Sequence, residues 1–215
     1  MSARADRVRI KGGPGYRLVR GLVRIILCVG WRLRVTGLEH LPDPPYILAA
    51  NHSSEVDPLI LGVSVPDHVV FLVSRHLEQL PIVFRLIRAF DPVFVRRGLA
   101  DVASVRATLG RLAQGEVVAI YPEGKVVQDS SLGPLHEGLA FIAIRAAVPI
   151  VPVAIFGALQ MFPLGARWPR SSHLTVKIGP PLIPRAGESA RSLTARLRDS
   201  LLGLLADVPR RAQSV

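Results

Sequence analysis

Apolar residues fall into short unbroken runs separated by stretches in which they recur every three or four positions, and this alternation predicts a domain of strands and helices. The runs cover residues 46–50, 69–73, 92–95 and 117–121, with two more at 150–156 and 174–178. A shorter alternating run at 31–35 predicts a first strand, and 37–45 supplies turn residues. Continuous apolar runs of this length suit strands covered on both faces of a sheet. Helical periodicity occupies 58–63, 76–90, 99–114, 135–147 and 188–206, and a further amphipathic helix is predicted over 15–30. Strands alternating with helices define the expected fold class: a single α/β domain with a mixed, largely parallel sheet flanked by helices. Ahead of it, residues 1–14 read as a flexible basic tail, and the domain proper runs over 31–208.

The helix at 15–30 adds a membrane to this picture. Arg17, Arg20 and Arg24 are spaced by three and four and share one face, while Leu18, Leu22, Ile25, Ile26 and Val29 fill much of the rest. Such a helix suits the headgroup region of a bilayer, and it equally suits packing on the domain. No stretch has the roughly 20 uninterrupted apolar residues a spanning helix needs. A secretory signal fits poorly, because Trp31, Arg32, Leu33 and Arg34 follow the apolar run without a small-residue cleavage site.

Composition narrows the partners. Hydrophobic residues make up 49% of the chain, which excludes disorder. A mean hydropathy of +0.35 is high for a chain with no spanning segment, so apolar surface is expected to remain exposed. The formal net charge of +11 attracts polyanions. Lysine occurs only at Lys11, Lys125 and Lys177, so arginine carries nearly all of that charge. Aromatics are only 6% and no nucleic-acid module is present, so lipid and phosphate rank above nucleic acid. The single cysteine, Cys28, forms no internal disulfide, and the histidines show no metal-ligand spacing; no metal and no cofactor are expected.

Chemistry is expected where strands end and loops begin. Two segments qualify: Ala50 through Pro58 after the 46–50 run, and Ile120 through Gly124 after the 117–121 run. His52 and Asp57 would stand about 140° apart on an undistorted helix and could not pair. Pro58, however, pushes Asp57 away from helical geometry and suits a helix start, so residues 52–57 form a turn. In a turn the carboxylate can reach the imidazole, fix its tautomer and stabilise its protonated form. A plain helix-capping role for Asp57 is the alternative, and its two oxygens allow both. Ser53 and Ser54 adjoin His52 without the geometry of an activated nucleophile.

The run Asn51-His52-Ser53-Ser54-Glu55-Val56-Asp57 resembles the first signature block of the glycerolipid acyltransferases, the group containing 1-acylglycerol-3-phosphate acyltransferase. Three further blocks follow in that family's order: Phe94-Val95-Arg96-Arg97, Tyr121-Pro122-Glu123-Gly124 and Val151-Pro152-Val153, so the resemblance covers roughly 32–185. It implies that His52 is the general base and that Asp57 orients it. Arg97 would hold the acceptor's phosphate through a planar, two-pronged guanidinium. Glu123 and Gly124 would belong to the acceptor site, and Pro152 would help to shape the donor or acyl site. Two positions depart from the family's usual pattern. Arg96 stands where many members carry an acid, and Lys125 with Val126 stands where they carry Thr and Arg, so that Lys125 supplies the missing charge.

The implied reaction passes an acyl group from acyl-CoA or acyl carrier protein to the free hydroxyl of 1-acylglycerol 3-phosphate or a related lysophospholipid, making phosphatidate for phospholipid biosynthesis. The setting would be a peripheral or monotopic position on the cytoplasmic face of a membrane. The alternatives are another acceptor, such as glycerol 3-phosphate or a phosphorylated glycolipid, and an acyl thioesterase that uses water.

Overall fold

In the computed structural model, residues 14–74, 93–95, 102–127, 131–163 and 165–207 are described. The apolar runs form strands, as their burial demands. They are β1 (Arg34–Thr36), β2 (Ile47–Ala50), β3 (Val69–Ser74), β4 (Val93–Val95), β5 (Val117–Ile120), β6 (Ile150–Phe156) and β7 (Thr175–Ile178). Their order in one sheet is β1-β7-β6-β2-β5-β3-β4. All ladders are parallel except β6 with β7. This is the mixed, largely parallel α/β sheet predicted.

Helices cover both faces. On one side lie α1 (Pro14–Gly30) and α2 (Asp57–Ser64), packed against Tyr46, Leu48, Ala50, Val117, Ala119, Val151 and Val153. On the other lie α3 (Val102–Ala113), α4 (Gly138–Ala146) and α6 (Ala190–Ala206), which enclose Ile47, Ala49, Val118 and Ile150. Successive strand residues therefore enter opposite cores, and a polar side chain fits neither. Helix α6 sends Leu193, Leu197 and Leu201 inward at four-residue spacing and begins at Ser189, whose side chain accepts a bond from the Ser192 N–H at 3.1 Å.

Some expectations change in detail. The first strand is Arg34–Thr36 rather than 31–35, since Trp31 and Arg32 turn the chain out of α1, Arg32 with φ of 49°. A four-residue helix, α5 (Ala158–Met161), and a short 3-10 turn at Leu38–His40 are too brief to leave a period in the sequence. The predicted helix at 76–90 lies outside the described residues. Pro152 sits inside the sheet although proline favours edges. Its carbonyl accepts from the Gly179 N–H at 2.8 Å, just past the end of β7 at Ile178.

Helix α1 runs opposite to the simplest amphipathic expectation. Tyr16, Arg20, Val23 and Leu27 form its inner seam, while Leu18, Leu22, Ile25, Ile26 and Val29 are exposed. Arg20 donates to the carbonyls of Gly62 and Val65 at the C-terminal end of α2, where helical carbonyls lack intrahelical partners. The three arginines thus divide: Arg20 points into the domain and Arg17 and Arg24 point outward. Among the described residues no helix is long and apolar enough to cross a membrane.

Candidate active site

Strands β6, β2 and β5 lie side by side and parallel, so their C-terminal ends share one edge of the sheet. His52 leaves β2 there, Tyr121 and Glu123 leave β5, and β6 supplies Ile155. Strand β4 ends on the same edge at Val95. Arg96 and Arg97 follow it and lie outside the described residues.

The turn from β2 to α2 is built around one carboxylate. Asp57 is fully buried as the first residue of α2, one place later than a capping residue; the cap position belongs to Val56, which makes no side-chain bond. The carboxylate turns back along the chain. Its Oδ2 accepts from the backbone N–H of Ser53 at 2.7 Å, from that of Ser54 at 2.8 Å, and from His52 Nδ1 at 2.9 Å. Its position at a helix N-terminus favours the negative charge further. Among the described residues, Asp57 Oδ1 is buried without a hydrogen-bond partner. Because a carboxylate oxygen only accepts, Nδ1 carries the proton and Nε2 keeps the lone pair. The His52 side chain is 17% exposed, whereas that of Asp57 is fully buried.

The imidazole is held on its face as well. The Tyr121 ring stacks on it with centroids 4.1 Å apart and planes 20° from parallel. Among the described residues, the Tyr121 hydroxyl is buried without a hydrogen-bond partner. Burial, and then the Asp57 charge, push that phenol well above its ordinary range, so it stays protonated and is no base.

Backbone bonds fix His52 from the β5 side. Glu123 is buried; its Oε1 accepts from the His52 N–H at 2.9 Å and its Oε2 from the Gly133 N–H at 2.9 Å. The His52 carbonyl accepts from the Val127 N–H at 2.8 Å. Gly133 permits the approach, since an added Cβ would stand 2.8 Å from Glu123 Oε2. Its carbonyl is held in turn by Arg198 at 2.8 Å. Gly124, at φ of 66°, makes the turn after Glu123, and a Cβ there would meet the His136 ring at 3.1 Å. Lys125 and Gly124 are exposed. Pro152 is buried in β6 beside Gly179.

The structure therefore brings His52, Asp57 and Glu123 together, with Glu123 facing backbone donors, and it leaves Gly124 and Lys125 on the rim. Sequence reasoning passed over three residues that build the site. Asn51 donates its amide N–H to Ile155 O at 3.0 Å and accepts from Ile155 N–H at 2.7 Å, extending the β2–β6 ladder with a side chain. Ser54 Oγ donates to Phe162 O at 2.7 Å. Tyr121 supplies the stacking ring. The signals for Asn51 were its place straight after a buried strand and at the head of the first signature block, neither of which states its role.

An imidazole hydrogen-bonded to a buried carboxylate at the C-terminal edge of an α/β sheet is an arrangement that can activate a hydroxyl or water. The comparisons define the class further. The Acyltransferase family matches residues 32–156, more than half the chain. The chain is 27% identical over 194 residues to the 1-acyl-sn-glycerol-3-phosphate acyltransferase alpha of Ovis aries, covering 87% of this chain and 67% of that protein. It is 28% identical over 144 residues to the 1-acyl-sn-glycerol-3-phosphate acyltransferase of Bacillus subtilis, covering 66% and 71%. It is also 31% identical over 135 residues to a lyso-ornithine lipid O-acyltransferase of Pseudomonas aeruginosa, covering 62% and 51%. It spans only about half the length of two similar mycoplasma proteins, 47% and 57%. In fold it resembles the 1-acyl-sn-glycerophosphate acyltransferase PlsC of Thermotoga maritima, with a TM-score of 0.75 at 22% identity over 91% of this chain and 82% of the other. The chain belongs to the acyltransferase family, and it is an acyltransferase enzyme.

Proposed function

We propose that this enzyme transfers an acyl group from a thioester, acyl-CoA or acyl carrier protein, to the free hydroxyl of 1-acylglycerol 3-phosphate or a related lysophospholipid. With 1-acylglycerol 3-phosphate the product is phosphatidate. The observation that carries the reading is the 2.9 Å bond from His52 Nδ1 to Asp57, which leaves Nε2 as an open base in a chain of this family. Nε2 takes the hydroxyl proton as the oxygen attacks the thioester carbonyl. The tetrahedral adduct collapses with loss of the thiolate. A thiol with a pKa near roughly 8.5 leaves readily, so His52 and Asp57 suffice without an acyl-enzyme intermediate. Glu123 acts through His52, whose peptide it holds. Arg97, with Arg96 and Lys125, meets the acceptor's phosphate.

The enzyme works at a membrane surface, on the cytoplasmic face. Leu18, Leu22, Ile25, Ile26 and Val29 give α1 an apolar outer row, flanked by Arg17 and Arg24, that fits the boundary between headgroups and acyl chains. A second reading keeps the reaction and changes the acceptor. Lys125 and Val126 in place of Thr and Arg favour it, as does the similarity to a protein named for lyso-ornithine lipid.

The test is acyl transfer from acyl-CoA and from acyl carrier protein to 1-acylglycerol 3-phosphate, glycerol 3-phosphate, lyso-ornithine lipid and no acceptor. We expect transfer to a lysophospholipid, lost by about 10²–10⁴-fold in a folded His52→Ala variant. Full activity in that variant refutes the mechanism. Thiol release that is equally fast without a lipid acceptor makes the protein a thioesterase instead.

A further inference from the structure

Beside the exit of α1 lies a loop that the proposed reaction does not use. Trp31, the residue that follows α1, donates its indole Nε1 to the carbonyl of Arg170 at 2.7 Å. Val29 precedes Trp31 by two residues and Trp168 precedes Arg170 by two, and two residues of chain reach at most about 7 Å. Val29 at 78% exposure and Trp168 at 80% therefore flank the same hydrogen bond. Arg167 and Arg170 are exposed in the loop. Arg32 is exposed on the α1 side, with a guanidinium nitrogen 3.4 Å from His173 Nε2. Residues 161–175 contain no Asp or Glu.

The loop is anchored at both ends. Arg170 N–H donates to Met161 O at 2.7 Å, and Ser172 Oγ donates to Gly157 O at 3.0 Å. Near its start, Phe162 O accepts from Ser54 Oγ in the catalytic turn at 2.7 Å. The loop thus bridges the apolar row of α1 and the turn that carries His52. A lone exposed apolar side chain needs no explanation. Here the indole continues a row of five exposed aliphatic residues and is set among arginines. Tryptophan settles at headgroup depth, and guanidinium groups bind lipid phosphates.

We propose that residues 165–170 form a second contact with an anionic lipid surface, Trp168 entering the interface and Arg167, Arg170 and Arg32 meeting lipid phosphates. The inference rests on the membrane reading of α1. A single helix on a bilayer leaves the domain free to roll about the helix axis. A second contact fixes that rotation and holds the catalytic turn toward the layer that contains the acceptor.

The chain has two tryptophans, so the difference between wild type and Trp168→Phe isolates the emission of Trp168. The full chain is mixed with vesicles of phosphatidylcholine, alone or with phosphatidylglycerol. We expect the Trp168 component to move to shorter wavelength on anionic vesicles and to be quenched by lipids brominated near the headgroup. In sedimentation, an Arg167→Gln and Arg170→Gln double variant should bind anionic vesicles about 30-fold more weakly, from the usual attraction of each basic residue. It should bind neutral vesicles almost as wild type does. Wild-type binding with an unmoved Trp168 component, or anionic binding undiminished in the double variant, overturns the loop contact and leaves α1 as the docking element. If the wild type ignores both vesicles, the membrane reading of α1 falls too.

Discussion

Asp57→Asn separates the charge of the proposed catalytic pair from its shape. Asp57 Oδ2 accepts three hydrogen bonds, whereas Oδ1 accepts none. An asparagine oxygen at the Oδ2 position can take all three, and the Ser53 and Ser54 N–H groups enforce that orientation because an amide NH2 there would face two donors. The NH2 then occupies the Oδ1 position, which accepts no hydrogen bond in the wild type. Fold and tautomer should survive. What is lost is the attraction between a carboxylate and the imidazolium that forms as His52 takes its proton. With the donor and acceptor atoms at 2.9 Å, the charge centres are about 4 Å apart, worth up to about 4 kcal/mol at an effective dielectric near 20. Solvent reaching the partly exposed ring lowers this, so the expected loss in kcat is about 10²–10³-fold. The assay follows thiol release from acyl-CoA at saturating acceptor, beside a thermal melt by circular dichroism. A variant that melts like wild type and keeps wild-type kcat would refute the base mechanism. One that melts far lower would show that the carboxylate holds the turn rather than the charge.

Glu123→Gln should lower stability and kcat together. Each Glu123 oxygen serves a separate buried N–H, and one amide oxygen can serve only one, so about 1–3 kcal/mol of stability should disappear while the acceptor KM stays put. A raised acceptor KM with an unchanged melt would place Glu123 against the acceptor instead. Tyr121→Leu removes the ring stacked on His52 and should lower kcat by up to about tenfold with little change in KM, and Tyr121→Phe should recover most of the loss. Equal kcat in wild type and Tyr121→Leu would reduce the stack to packing.

The buried layers were legible because burial on both faces leaves no choice of residue. β2, β5 and β6 are apolar at every position, and the predicted runs at 46–50, 117–121 and 150–156 coincide with them within a residue. The turn between β2 and α2 was legible in outcome but not in cause: Asp57 does reach His52, yet Pro58 does not keep it out of the helix, because Asp57 is itself the first residue of α2 and its carboxylate folds back onto the Ser53 and Ser54 N–H groups. The orientation of α1 was not legible. Its period put Arg17, Arg20 and Arg24 together, but a period does not say which face meets the domain. The free carbonyls at the end of α2 decide it: they need a donor, Arg20 supplies one, and the aliphatic row turns outward.

The site shows the same division between side chains with obvious chemistry and the bonds that hold them. A His and an Asp near a proline can be read as a base and its partner. The reading missed that a glutamate in the third block would spend both oxygens on backbone N–H groups, or that Asn51 would stand in for a strand. Both follow from a physical need. A general base must keep Nε2 aimed within a fraction of an ångström through repeated protonation, and a ring on a loop has freedom to turn. Here the His52 N–H is held by Glu123, its carbonyl by Val127, its Nδ1 by Asp57 and its face by Tyr121, while Asn51 ties the preceding residue to β6. These restraints come from β5, α2 and β6, separate elements fixed by two packed cores, so His52 cannot turn without disturbing the sheet edge itself. The stability of the sheet and the aim of the base are therefore one property, and that is why Glu123→Gln is expected to lower the melt and kcat together.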